Sequence, residues 1–341
     1  MDRREVLKLG LGFAIASVGA TAEARSAVPI IVPIIDTHIH LFDPTRTGGI
    51  PWPPKDDAVI YKPALPSHYE QITRTLGVVG AIAVEASPLE NDNDWVLQQA
   101  ADHPIVVGLV GDLIPGSPSY GRELDRLRAN PLFVGIRYGN LWDRDLSADK
   151  QKPGFVSDLR KLASAGLELD SANPDPKLIR AILEVSQQVP ELKIVIDHLP
   201  AANVPTESSA SKEYWAKLRS LSQNARVFAK LSEVPVRISN RVPKDVSFYK
   251  DKLDSIWDVF GEDHVLFGSD WPNSDHLATY AETLDLVRSY VSTKGSVASE
   301  KYFWRNSIAA YGWRPRNPDQ PTHFEVHVTM NPSPRVMPAQ S

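Results

Sequence analysis

The sequence contains no cysteine among its 341 residues. Thiol nucleophiles, cysteine-ligated zinc and disulfide bonds are therefore excluded, and the fold must be stabilised by packing. The formal net charge is only −5, and no long basic stripe interleaved with aromatic residues is present. The sequence thus has no nucleic-acid footprint, and we expect a small-molecule substrate as the partner. It gives no indication of the oligomeric state.

The N-terminal segment has no apolar run long enough for a comfortable membrane span. A weakly apolar run at residues 9–20 follows the pair Arg3-Arg4 and precedes a stretch of small residues. This order is typical of a signal peptide, and the twin arginines resemble a Tat signal. We predict a Tat-type signal peptide at residues 1–26, the Tat export machinery as a partner, and a periplasmic or secreted protein without stable membrane insertion. The alternative is an uncleaved amphipathic helix, although the run has no polar face.

Short apolar runs rich in β-branched residues recur at intervals of roughly thirty residues, with helix-like stretches between them, as in repeated βαβ units. Runs that are almost continuously apolar suit parallel strands covered on both faces. The sequence therefore predicts an α/β fold, a single-domain (β/α)8 TIM barrel over residues 30–313. The eight predicted strands are 34–41, 78–87, 105–113, 133–139, 166–172, 193–200, 227–233 and 264–272, and the clearest predicted helices are 120–128, 176–189, 212–223, 249–260 and 277–292.

Two segments do not fit this alternation. Residues 42–67 are rich in proline and too long for an ordinary βα turn, so we predict a long loop over the barrel mouth. Residues 314–341 are rich in proline and polar residues, which predicts a C-terminal extension that is irregular or disordered. Within it, residues 324–330 have the composition of an edge strand.

Polar residues at the ends of the predicted strands indicate the site. Asp36, His38 and His40 alternate along the first strand, so we expect all three side chains on one face, directed inward. His198 ends the sixth run and Asp270 ends the eighth. Because the C-terminal ends of barrel strands carry the active site in this fold, we predict that these residues converge. The alternatives are a structural histidine at 198 and a helix cap at 270.

These motifs together resemble the amidohydrolase superfamily. The matching segments are Asp36-Thr37-His38-Ile39-His40, Asp197-His198 and Gly268-Ser269-Asp270-Trp271-Pro272, with further matches at Gly135-Ile136-Arg137, Lys230-Leu231-Ser232 and Phe303-Trp304-Arg305-Asn306. More narrowly, the chain resembles the lactonase branch, which includes pyrone-dicarboxylate, L-fucono- and L-rhamnono-lactone hydrolases. The fifth predicted strand lacks the histidine that metal-dependent decarboxylases and deaminases of the superfamily usually have there.

The resemblance implies a hydrolase that opens a small lactone, either carboxylated or sugar-derived, by attack of water on the carbonyl. Asp270 would be the general base, and His38, His40 and His198, or a metal that some of them hold, would polarise the carbonyl. No cofactor is certain, and one divalent zinc or manganese ion would have His38, His40, Asp270 and Glu85 as its ligands. The rivals are a metal-dependent decarboxylase of the same superfamily and a non-catalytic small-molecule binding barrel.

Other mouth residues are candidates for substrate binding. Arg137 ends the fourth run, where its guanidinium would bind a substrate carboxylate or form a salt bridge within the mouth. Trp52 and Trp271 could stack on a ring-shaped substrate, and Tyr138 lies beside Arg137. Lys230 lies within an apolar run, so its ammonium must reach an internal carboxylate or line the site.

Overall fold

The computed structural model describes residues 32–322. The predicted signal peptide and the predicted edge strand at 324–330 lie outside the described residues, so export and periplasmic location stay predictions. Within the described part of the chain, no helix is both long and apolar enough to cross a bilayer.

Eight parallel strands form one sheet in chain order, and each is almost fully buried. The sheet closes on itself through a parallel bridge between Ile39 and Trp271. The TIM-barrel prediction is confirmed, and every predicted strand is present in a somewhat shorter form. The strands are β1 (Ile34–Ile39), β2 (Val78–Val84), β3 (Val106–Gly111), β4 (Phe133–Arg137), β5 (Glu168–Ser171), β6 (Lys193–Ile196), β7 (Val227–Leu231) and β8 (Val265–Phe267).

The helices pack around this sheet and include the five that the sequence predicts. Three of these begin at capping side chains: Asp175 accepts from the Leu178 amide, Glu207 accepts from the Ser209 and Ala210 amides, and Thr279 forms a capping box with Glu282. The helices are α1 (Pro66–Thr73), α2 (Asp92–Ala101), α3 (Tyr120–Leu127), α4 (Leu146–Asp149), α5 (Phe155–Ser164), α6 (Pro176–Gln188), α7 (Ser208–Ser222), α8 (Ser247–Phe260), α9 (Tyr280–Ser292), α10 (Ser296–Glu300) and α11 (Asn306–Tyr311), with 3-10 turns at Pro200–Asn203 and Asn273–His276 and a π-helical turn at Lys301–Arg305.

The apolar core has two parts. The larger one joins the outer faces of the strands to the helices. The smaller one includes Ile35, Val195 and Leu266, and the C-terminal residues Trp304 and Trp313 pack against it. Residues 42–65 form an irregular loop, as predicted, whose two ends are joined by paired backbone hydrogen bonds between Phe42 and Ala64.

Candidate active site

The two histidines of β1 lie side by side in the barrel. The ring centroids of His38 and His40 are 5.0 Å apart, and both side chains are buried. The prediction that Asp36 shares their face is wrong. The register of β1 against β2 shifts between Asp36 and Ile39, and such a bulge changes which residues face inward. Asp36 instead points to the helical layer, where it accepts hydrogen bonds from the hydroxyls of Tyr69 and Tyr280.

Asp270 meets both of these rings just after β8. Its Oδ1 atom lies 3.2 Å from His40 Nε2 and 3.5 Å from His38 Nε2, and Asn273 donates to its Oδ2. The backbone of Asp270 has a φ of +61°, a left-handed conformation that is unusual away from glycine. Burial raises the pKa of this carboxyl, but the His40 hydrogen bond and the nearby imidazoles outweigh that effect and hold the pKa below its usual range. Asp270 is therefore ionised at neutral pH.

His198 completes the group from the end of β6. Its ring centroid lies 4.9 Å from that of His38. The Ser232 hydroxyl is 3.1 Å from the His198 backbone nitrogen and 3.2 Å from its Nδ1, which fixes the ring. The structure thus brings together His38, His40, His198 and Asp270, the four residues that the sequence places at strand ends.

A buried lysine supports His38 from within the barrel. Lys230 Nζ lies 2.6 Å from Asp170, 2.8 Å from Asp197 and 3.2 Å from His38 Nδ1, and all of these side chains are fully buried. Burial lowers the pKa of Lys230, but the two carboxylates outweigh it and the pKa lies above its usual value. Burial and the Lys230 charge keep the pKa of His38 well below its ordinary value, so His38 is neutral. This network fixes the ring from the side opposite Asp270.

His38, His40 and Asp270 also suit a divalent metal ion. Their nearest ligand atoms all lie within 4.8 Å of one another. Among the described residues, the buried His38 Nε2 has no hydrogen-bond partner. Its lone pair is available to a metal in the tautomer with the proton on Nδ1, where Asp197 Oδ1 at 3.5 Å is the acceptor. Two imidazoles and one carboxylate match the preferences of zinc and manganese.

Glu85, the predicted fourth metal ligand, is held elsewhere. Arg137 Nε and Arg144 Nη1 each lie 3.1 Å from Glu85 Oε1, and the group that could hold a metal does not include this residue. Arg144 also contacts Asp112 at 2.7 Å. Arg137 therefore forms a salt bridge within the mouth, which was one of its two predicted roles. Both guanidinium groups also donate hydrogen bonds to backbone carbonyls, Arg137 to Glu85 O and Arg144 to Arg137 O.

The predicted aromatic residues have different positions. The Trp52 ring lies 5.7 Å from the His40 ring, at the site. Trp271 packs on Tyr69 of α1 at 5.4 Å, within the barrel–helix layer. Tyr138 also faces outward, since it packs on Phe155 and its hydroxyl donates to Asp149. Successive residues of an extended strand point to opposite faces, so an inward Arg137 leaves Tyr138 outside; the structure does not support its predicted contact with substrate.

The sequence reasoning missed Glu233 at the end of β7, and it named Ser232 only as part of a matching segment, without a role. Glu233 Oε1 lies 3.8 Å from His198 Nε2, and a Glu233 oxygen lies within 4.8 Å of the ligand atoms of His198 and Asp270. The signal was available, because Glu233 ends the seventh predicted run as Asp270 ends the eighth. Asp197 was named only as part of a matching segment and Asp170 was not singled out, because nothing in the sequence shows that these two carboxylates neutralise Lys230.

The family model described as "Amidohydrolase" matches residues 35–313. The chain therefore belongs to the amidohydrolase family and is a hydrolase. The resemblance read from the sequence motifs is confirmed.

Curated relatives and solved structures agree with this assignment. The chain is 28% identical over 242 residues to an L-fucono-1,5-lactonase of Burkholderia ambifaria, covering 70% of this chain and 80% of that protein. It is 24% identical over 291 residues to an L-fucono-1,5-lactonase of Burkholderia multivorans, covering 81% of this chain and 94% of the relative. A Burkholderia multivorans amidohydrolase crystallised with bound zinc superposes with a TM-score of 0.71 at 20% identity, covering 83% of this chain and all of that one. At that identity the superposition shows the shared fold.

Proposed function

We propose that this protein is a lactonase that opens a small, neutral, sugar-derived lactone by attack of water on the ring carbonyl. The observation that carries the proposal is the contact of the ionised Asp270 with two imidazoles, beside the His198 ring. The family and the curated L-fucono-1,5-lactonases support the same reaction.

In the proposed reaction, Asp270 accepts a proton from the attacking water, whose oxygen bonds to the carbonyl carbon. The negative charge that develops on the carbonyl oxygen is stabilised by N–H groups of the surrounding imidazoles. The ring C–O bond then breaks, and the leaving alkoxide takes the proton back from Asp270. The product is a hydroxy acid, which ionises and releases one proton into solution near neutral pH.

His38, His40 and Asp270 are the residues that would hold a divalent ion. Such an ion supplies Lewis acidity, which lowers the pKa of water and polarises a carbonyl. Asp197 Oδ1 lies 3.5 Å from His38 Nδ1, the position of the carboxylate that commonly accepts the second N–H of a metal-binding histidine.

The charges of the mouth favour a neutral substrate over a carboxylated one. Arg137 and Arg144, the buried arginines near the site, already bind Glu85 and Asp112. A substrate carboxylate would have to compete with these internal ion pairs. Asp270 and Glu233 add negative charge to the same end of the barrel, whereas sugar hydroxyls can donate hydrogen bonds to such groups.

The test is to assay a panel of lactones and to detect hydrolysis by the release of protons. The panel includes L-fucono-1,5-lactone as the neutral substrate and 2-pyrone-4,6-dicarboxylate as the charged one. We expect hydrolysis of the neutral lactone with a kcat/KM at least about tenfold higher. Absence of proton release with every lactone would overturn the proposal. Elemental analysis of the same sample, with activity measured after chelation and after zinc or manganese addition, tests the metal requirement separately.

A further inference from the structure

Three adjacent strands present unusual backbone conformations at the mouth. His198, Glu233 and Asp270 follow β6, β7 and β8, and their φ angles are +64°, +52° and +61°. Left-handed conformations are costly for residues other than glycine and concentrate at functional sites. Two of these residues already belong to the candidate active site, and the mechanism above gives Glu233 no role.

Glu233 is the most open of the three. Its side chain is 45% exposed, against 10% for His198 and 1% for Asp270. The 3.8 Å distance to His198 Nε2 is too long for a hydrogen bond. Burial and the nearby Asp270 charge raise the pKa of Glu233, and the His198 ring acts against them. In its carboxylate form the side chain offers about four acceptor positions. Glu233 can therefore accept hydrogen bonds from a molecule that enters the mouth and reaches the imidazoles.

We propose that Glu233 is a specificity-determining residue that accepts hydrogen bonds from the hydroxyls of a polyhydroxylated lactone and disfavours lactones with a carboxylate at that position. This inference rests on the proposed lactonase function and extends it to the choice of substrate. A carboxylate placed there would face both Glu233 and Asp270, and like charges at close range reject a ligand. A hydroxyl placed there would donate a charge-assisted hydrogen bond.

The experiment compares Glu233→Gln with the wild type on two sugar lactones, L-fucono-1,5-lactone, which is neutral, and glucaro-1,4-lactone, which carries a carboxylate. Glutamine keeps the length of the side chain and removes its charge. We expect kcat/KM for the neutral lactone to fall by about 10- to 100-fold, mainly through KM, because a hydrogen bond to a charged group is lost. The kcat/KM for the charged lactone should stay unchanged or rise. The ratio of kcat/KM for the neutral lactone to kcat/KM for the charged lactone should therefore fall at least about tenfold.

Two further variants make the result decisive. Glu191→Gln removes an exposed carboxylate before β6, at the opposite end of the barrel, and should leave both values unchanged. Glu233→Asn should shift the ratio in the same direction, and asparagine tolerates a positive φ, so this variant protects the test against misfolding. An unchanged ratio in folded Glu233 variants would overturn this inference alone. A wild-type protein that hydrolyses no lactone would instead overturn the proposed function.

Discussion

At the residue scale, the buried charges around Lys230 bear most on the site. Burial raises the pKa of Asp170, and the neighbouring Asp197 charge adds to it. Burial acts in the same direction on Asp197, but the Lys230 and His38 interactions outweigh it and keep its pKa well below the ordinary value. Lys230 is thus the cation that permits two carboxylates inside the barrel, one of them close to His38.

Replacing Lys230 with methionine should destabilise the fold by about 3–5 kcal/mol at pH 7, because two buried carboxylates lose their partner. In the variant, the folded-state pKa of Asp170, already raised in the wild type, rises further, and that of Asp197 rises above the unfolded value. The folded state then binds protons more tightly, so the variant regains stability as the pH falls from 7 toward 5. Chemical denaturation at both pH values measures this. Lys252→Met, on the exposed face of α8, is the control; a loss below about 1 kcal/mol for Lys230→Met would contradict the account.

Individual residues of the site could be predicted where a polar side chain ends an apolar run. His198 and Asp270 stand out in this way, and the structure brings them to the predicted end of the barrel. Glu85 also ends an apolar run, but in the structure it contacts guanidinium groups and not imidazoles. Whether a carboxylate faces a guanidinium or an imidazole depends on contacts such as that of Arg144, which lies 59 residues away along the chain.

At the element scale, the ends of β1 and β8 fix the catalytic geometry. Asp270 N donates to His38 O, and His40 N donates to Trp271 O, so the two catalytic segments form one ladder. Asp36 reinforces this junction, because its Oδ1 accepts from the amides of His38 and Ser269. Strand periodicity predicted the inward histidines but could not predict the bulge, which depends on the register against β2.

Gly268 allows β1 and β8 to approach closely. A Cβ atom at this position would lie 2.8 Å from the His38 Cβ and 3.3 Å from the Ser232 Cβ. Gly268→Ala should therefore displace His38 and lower kcat by about 100-fold, since a misplacement of about 1 Å has that effect. The stability cost should be about 1–3 kcal/mol. Steady-state kinetics and thermal unfolding measure the two effects.

The matched control is Gly121→Ala in α3, where the nearest atom to an added Cβ is the flexible Lys161 Nζ at 3.8 Å. That change should leave kcat unaltered and stabilise the helix slightly, because alanine is the better helix former. Wild-type kcat in Gly268→Ala would show that the close approach of β8 does not position His38.

At the scale of the whole molecule, the C-terminal segment covers the end of the barrel opposite the active site. Arg316 donates to the carbonyls of Ala100, Ala101, His103 and Val106, around the start of β3. Gln320 is buried and donates to the carbonyls of Val79 and Pro104. Composition predicted an irregular extension from residue 314, and residues 314–322 are irregular. Their attachment could not be predicted, because it depends on carbonyl groups that face outward only after the barrel has formed.

Arg316→Ala should lower the free energy of unfolding by about 2–3 kcal/mol, because several carbonyls lose a charged donor. The kcat for the lactone should stay within about twofold, since the active site is at the other end of the barrel. Denaturant titration measures the free energy of unfolding, and initial rates on the same preparation measure kcat. The exposed Arg314→Ala is the control, and equal stability of the two variants would show that these hydrogen bonds do not stabilise the fold.

The most direct measurement of the central claim is the turnover of Asp270→Asn on L-fucono-1,5-lactone, with thermal unfolding recorded on the same sample. Asparagine preserves the shape of the side chain but cannot accept the proton from water. The account predicts a kcat lower by about 10²- to 10⁴-fold in a protein that remains folded. A folded Asp270→Asn protein that keeps more than about a tenth of the wild-type kcat would contradict it.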